Sequence, residues 1–204
     1  MVVLAVSTDA PVVVGPPQGQ WTYADWEALP DDGSRYEIID GVLYVSASPS
    51  LFHQWIIQQL YERVGIPARQ QGLAYAFLAP VGVLMPGCEP VQPDFVLVRA
   101  ERAAALLVER RIRGVPDVIV EVLSPGNMRY DTEIKRAAYE QAGVPEYAII
   151  DPAARQIHLF RLDKQGVYGE AVILSGAETV TFAAVPGIAF PVEALFADAP
   201  DTSL

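Results

Sequence analysis

The run Val118-Ile119-Val120-Glu121-Val122 sets one carboxylate inside an otherwise apolar strand pattern. An ionised side chain there is costly unless a cation, hydrogen-bond donors or a metal ion meets it. Glu121 is therefore the first residue whose chemistry needs an explanation. Asp94 raises a similar question: it follows Pro93 at the mouth of a second apolar run and shares a face with Val96 and Val98. Glu37 shares a strand face with Ile39. Asp131 and Lys135 stand four residues apart, so they can pair on one helix face. His53 opens a further helix, on a mostly apolar stripe with Ile57, Leu60 and Val64.

Each of these has a plainer reading. Glu121 can be a structural carboxylate paired with an arginine, and the Pro93-Asp94 pair can cap a turn. Glu37 can be a solvated hairpin residue, and Asp131–Lys135 an exposed ion pair of small energetic weight. His53 can be a satisfied, half-buried histidine, and Tyr139, four residues beyond Lys135, a packing residue. Other chemistries are excluded more firmly. Ser124 lies in Ser-Pro-Gly and not in a GxSxG elbow, and there are only 2 histidines, which argues against a Ser-His-Asp hydrolase. There is no GxGxxG and no P-loop. The lone cysteine, Cys88, rules out an internal disulfide or a cysteine-rich zinc site.

The elements that must position these side chains follow from periodicity and turn chemistry. Trp21 to Leu29 reads as a short helix with a weak capping box from Thr22, closed by Pro30. Arg35 to Val45 reads as a hairpin turning at Asp40-Gly41. Ser48-Pro49-Ser50 starts a helix over Leu51 to Val64, which Gly65 and Pro67 are expected to end. Strands follow between Gly72 and Val98, with a turn at Pro86-Gly87. The alanine- and leucine-rich stretch from Ala100 to Arg113 reads as helical or partly so. In the strand around Glu121, Ile119 and Leu123 share its face while Val118, Val120 and Val122 take the other, so both faces are expected to be buried. A helix over 131–142 then stops at Gly143, with Pro145 beyond it. Glu146 to Ile150 and Gln156 to Leu162 form two more strands, and the remainder supplies edge strands and a last helical turn. The sum is an α+β or α/β domain, a mixed β-sheet flanked by helices.

The chain has 204 residues, enough for one well-buried domain, expected over 20–197 between an N-terminal tail (1–19) and a C-terminal tail (198–204). No apolar run approaches the ~20 residues of a membrane span. The N-terminus has no basic region and meets Pro11 early, so it reads as a loose tail and not a signal peptide. The expected setting is cytoplasmic. A formal charge of −11 gives no global attraction for DNA or an anionic membrane, so contact with nucleic acid would need a local basic patch.

Read together, YEIIDG, the helix opening with His53, QPDFVLV and VIVEVLSPGNMRYDTEIKRAAYEQAGVPEYAIIDP resemble the Uma-two family, of the PD-(D/E)xK nuclease superfamily, over about residues 20 to 196. The resemblance implies a restriction-endonuclease-like core and a magnesium- or manganese-dependent DNA endonuclease. Asp94 and Glu121 would be its metal-binding carboxylates, with Glu37 as the third acid. Phosphodiester hydrolysis needs charge neutralised on the phosphate and a water activated, which a hard cation on oxygen ligands supplies. The lysine that the superfamily pattern expects two residues after the second acid is Leu123 here, and Lys135 is its substitute from the following helix. His53 and Asp131 would stand at the mouth of the site.

Arg99, Arg102, Arg110, Arg111 and Arg113 hold five of the chain's 14 basic residues. They read either as a solvated face balanced by Glu101 and Glu109, or as the local patch through which Arg102, Arg110, Arg111 and Arg113 contact DNA. The expected assembly is a homodimer. Two further readings stand beside the nuclease: a catalytically silent scaffold of the same fold, and a metal-dependent hydrolase of small phosphoesters.

Overall fold

The computed structural model describes residues 13–46, 48–125 and 128–200. In chain order the elements are α1 (Tyr23–Glu27), β1 (Arg35–Ile39), β2 (Val42–Ser46), α2 (Leu51–Leu60), α3 (Ile66–Gln70), β3 (Ala74–Leu78), β4 (Val83–Met85), β5 (Cys88–Val91) and β6 (Phe95–Arg99). Then come α4 (Ala103–Leu106), β7 (Leu107–Val108), β8 (Arg111–Arg113), β9 (Val118–Val122), α5 (Arg136–Ala142), β10 (Glu146–Asp151), β11 (Gln156–Arg161), β12 (Val172–Ser175), β13 (Thr179–Thr181) and β14 (Ala189–Pro191). A π-helical turn over Tyr61–Gly65 joins α2 to α3, and a second one, Tyr130–Lys135, leads into α5.

The strands form two mixed sheets of six, ordered β2-β1-β5-β4-β8-β7 and β12-β11-β10-β9-β6-β3, with a small β13-β14 ribbon. The pair that decides the site is β9 with β10, which run parallel with Glu121 opposite Ile149. Parallel neighbours need a crossover connection that passes over a face of the sheet. Here the crossover is the helix that carries Asp131, Lys135 and Tyr139. The two faces of β9 divide as its alternation predicts. Val118, Val120 and Val122 pack with Ile57 and Leu60 of α2 and Val64 of the π turn after it, while Ile119 and Leu123 pack with Tyr139 and Ala142 of the crossover. The chain is thus an α+β fold in which one sheet is clad by a helix on each face.

Several local expectations hold. Thr22 and Asp25 form a reciprocal capping box at α1. Asp40 and Gly41 both take positive φ, 49° and 73°, in the two-residue turn between β1 and β2. Gly143 ends α5 in the left-handed conformation.

Two readings are corrected or narrowed. The helix beginning at Leu51 does not stop at Gly65 but runs on to Gln70. The π turn before Pro67 absorbs the strain of a residue that has no N–H to donate. Ala100–Arg113, expected to be helical or partly so, is helical only in a 3-10 turn and the short α4, after which the chain turns back as the β7–β8 hairpin. Pairing Ile112 with Val83 buries Ile112 in the sheet, and that tertiary gain overrides the helical propensity of the alanines. Of the stretch read as a tail over 1–19, residues 13–19 are described. Residues 1–12, and 201–204 of the C-terminal tail, lie outside the described residues, but Val13 is buried and Gln18 both accepts from Leu43 N (2.7 Å) and donates to Leu43 O (3.2 Å). No helix among the described residues is long and apolar enough to cross a membrane.

Candidate functional site

β9 carries Glu121 into the layer beneath the crossover helix, where the residue is buried. Its Oε1 accepts hydrogen bonds from Lys135 Nζ at 2.9 Å and Tyr139 OH at 2.8 Å. Lys135 and Tyr139 are four residues apart on the crossover helix, so both reach the same oxygen from one helix face. The start of the crossover is tied down by Tyr147 on β10, whose OH donates to the Asp131 carbonyl at 2.9 Å. The Lys135 ammonium is shared with Glu37 Oε2 (3.1 Å) and Asp131 Oδ1 (3.6 Å) and lies 4.9 Å from the Tyr130 ring centroid. Glu37 reaches it from β1 of the other sheet and is steadied by Gln92 N–H, 2.6 Å from Oε1.

Asp94 precedes β6, the neighbour of β9, and its carboxylate is held by three groups. Arg35 Nη1 lies 2.7 Å from Oδ1, while His53 Nε2 (3.0 Å) and Val122 N–H (2.9 Å) meet Oδ2. Its own N–H points at Glu121 Oε2, 3.4 Å away. The two carboxylates are therefore adjacent, bridged by backbone of each other's strand. Together with Arg35, His53, Asp131 and Lys135 they line one cleft of about 260 Å³.

Three carboxylates crowd one ammonium, and the protonation equilibria follow. Burial raises Glu121 well above the usual carboxylate range; Lys135 opposes this, but the charges of Asp94, Asp131 and Glu37 add to it. Burial likewise pushes Asp131 up to about 7 against the pull of Lys135. Asp94 goes the other way. Burial would raise it, but the His53 hydrogen bond and the charges of Arg35, His53 and Lys135 prevail and hold it well below that range. Burial opposes the charge on Lys135, yet Glu121, Glu37 and Asp131 outweigh it, so its pKa is raised and it remains an ammonium. Cys88 is buried and its thiol is pushed up to about 12, chiefly by that burial, which makes it inert.

The sequence singles out Glu37, His53, Asp94, Glu121, Asp131 and Lys135, and the structure brings all six to this cleft. Glu37 joins through Lys135 and not through the other acids: among the described residues no three His, Cys, Asp or Glu side chains stand together as a metal-binding group. The oxygen donors that do adjoin are Asp94 and Glu121. Two carboxylates on a polar cleft suit a magnesium-like ion, which keeps several waters and takes few protein ligands. Two buried polar atoms of lining residues, His53 Nδ1 and Tyr130 OH, have no hydrogen-bond partner of good geometry among the described residues. They mark where further polar ligands of a hydrated ion or phosphate can be met, so the residues present fit such a group.

Sequence reasoning missed Arg35 and took Tyr139 as packing. Arg35 carried no signal beyond opening a strand, whereas Tyr139 lay in plain view at the next four-residue step after Asp131 and Lys135. The arginine group divides. Arg102 is bound to Asp117 (2.7 Å) and the Val115 carbonyl (2.8 Å), while Arg111 and Arg113 lie over Trp26 and Tyr23 at 5.2 and 5.7 Å, and Arg110 is exposed at the hairpin turn.

Comparison with known proteins places the chain in a family. No curated protein matches the chain. A crystal structure described as "a putative nuclease belonging to DUF820" from Anabaena variabilis is similar in fold, with a TM-score of 0.72 at 18% identity, covering 86% of this chain and 97% of that one. The family model Uma2, described as "Putative restriction endonuclease", matches residues 22–193, a span that holds β1, β6, β9 and the crossover helix. The chain belongs to the Uma2 family.

Proposed function

We propose that this cleft hydrolyses phosphodiester bonds in DNA. The observation that carries the reading is the contact of Lys135 Nζ with Glu121 Oε1 at 2.9 Å beside Asp94, because it sets an ammonium next to two adjacent carboxylates without the usual lysine at position 123. Asp94 and Glu121 would hold magnesium or manganese, which when bound supplies Lewis-acid neutralisation of the phosphate and a more acidic water. Lys135 stays charged, so its N–H groups orient the attacking water and steady the developing negative charge; it does not act as the base. Arg35, paired to Asp94, lies on the cleft wall within reach of a phosphate oxygen. His53 and the Val122 N–H fix the Asp94 carboxylate so that it does not have to reorganise. DNA would be met at the β7–β8 hairpin, where Arg110 is exposed and Arg111 and Arg113 are half-buried, and a homodimer in the cytoplasm completes the proposal.

The test is nicking of supercoiled plasmid with magnesium or manganese. Wild type should cleave and Glu121→Gln should not; equal activity of the two would remove Glu121 from the chemistry.

One observation favours a second reading, a catalytically silent scaffold: Asp94 is already engaged by Arg35, His53 and Val122, and Glu37 by Lys135 and Gln92. Titration calorimetry separates the two. Heat from manganese that disappears in Asp94→Asn supports the nuclease, and no heat with every carboxylate intact supports the scaffold.

A further inference from the structure

A second cleft, about 520 Å³, lies against the first, and the two share Arg35, Ser48 and Pro49 as a common wall. Consecutive residues of α2 line different clefts, His53 the first and Gln54 the second. The sizes differ in kind. Small-molecule sites run to roughly 300–1,000 Å³; the second cleft falls in that range, whereas the first, at about 260 Å³, suits a phosphate and an ion.

The second cleft is built around a fixed aromatic platform. The Trp26 indole is pinned by Nε1–H donating to the Tyr36 carbonyl at 2.7 Å and stacks with Tyr23 at 5.9 Å between centroids. The Arg111 guanidinium lies 5.2 Å from the Trp26 centroid, and its buried Nε has no hydrogen-bond partner among the described residues. A planar, permanently charged group backed by an indole is a surface on which a flat heteroaromatic ring stacks. Gln54 brings an amide that can bond the edge of such a ring, and Glu27 and Asp31 on the lining disfavour a second phosphate deep in the cleft.

We infer that this cleft is a nucleotide subsite: it takes the base and sugar of the nucleotide next to the scissile phosphodiester, with the base against Arg111 and the linking phosphate at Arg35. The inference rests on the proposed phosphodiester chemistry for its biological sense, but the binding itself requires neither metal nor cleavage.

The experiment is titration of the full chain, without divalent metal, with deoxyadenosine 5′-monophosphate and with inorganic phosphate, followed by calorimetry and by tryptophan fluorescence. The nucleotide should bind at least tenfold more tightly than phosphate. Arg111→Ala should lose most of that advantage. Arg111→Lys, which keeps the charge and the fold but not the plane, should lose it too. A nucleotide that binds no better than phosphate, or an Arg111→Lys variant equal to wild type, overturns the subsite. If no metal supports DNA cleavage and the nucleotide still binds in this pattern, the catalytic proposal fails and the subsite stands.

Discussion

Lys135 Nζ lies 2.9 Å from Glu121 Oε1, with both side chains 2% exposed, although the two residues are 14 positions apart and sit on different kinds of element. The parallel pairing of β9 with β10 makes this contact possible, because it sends the intervening helix back across the face from which Glu121 projects. Lys135 is then the shared counter-charge of Glu37, Glu121 and Asp131.

Replacing Lys135 with Met removes that charge and leaves buried carboxylates uncompensated. Breaking a buried ion pair from one side costs about 3–5 kcal/mol. Urea denaturation at pH 8 should show a loss of that order. The loss should shrink at pH 5, where Glu121 and Asp131, whose pKa values are raised, accept protons more readily. An equal loss at both pH values would mean that the carboxylates do not depend on Lys135.

Asp131→Asn should stabilise the protein at pH 8. With its pKa raised to about 7, the folded protein holds this proton more tightly than the unfolded chain, whose value is near ~3.9. The associated stability is fully present below the unfolded value and is lost as pH rises through about 7. At about 1.4 kcal/mol per unit the effect reaches a few kcal/mol. Thermal melts from pH 4 to pH 8 should fall less steeply in the variant than in the wild type.

Tyr139→Phe removes one donor from Glu121 and nothing from the neighbouring packing, since the ring keeps its edge-on contact with Tyr147 at 5.1 Å. A hydrogen bond to a charged group contributes roughly 1.5–3 kcal/mol. Urea midpoints should report a loss in that range. Plasmid nicking should fall while metal affinity, read by calorimetry, changes little.

The arginines should separate by role. Arg110→Ala, at the exposed turn, should lower the salt slope of DNA binding by about one unit without affecting stability. Arg102→Ala should do the reverse, because Arg102 is occupied by Asp117 and Val115. Filter binding across a salt series together with thermal melts distinguishes the two outcomes.

Where the sequence was legible, one physical rule dominated. Glu121, Leu123 and the three valines of β9 sort by strand alternation, Asp40-Gly41 marks a turn that demands positive φ, and Gly143 marks a helix end. Where it was not, the outcome depended on partners far along the chain. Ala103-Ala104-Ala105 favours a helix locally, yet Ile112 follows its pairing with Val83. Arg35 and Asp94 are 59 residues apart, and nothing in either segment announces their 2.7 Å contact. Glu37 meets Lys135 at 3.1 Å from the other sheet, a contact set by how the two sheets meet, which no local pattern encodes.

The π-helical turn over Tyr130–Lys135 has an evolutionary corollary. Such a turn is an α-helix with one residue inserted. Deleting a single residue there would restore ordinary winding and rotate one flank against the other by about 100°. Either Asp131 or Lys135 would then leave the Glu121 face. Helix starts near the surface commonly tolerate length changes in a lineage, but in this chain the count of residues between 130 and 135 is itself part of the site.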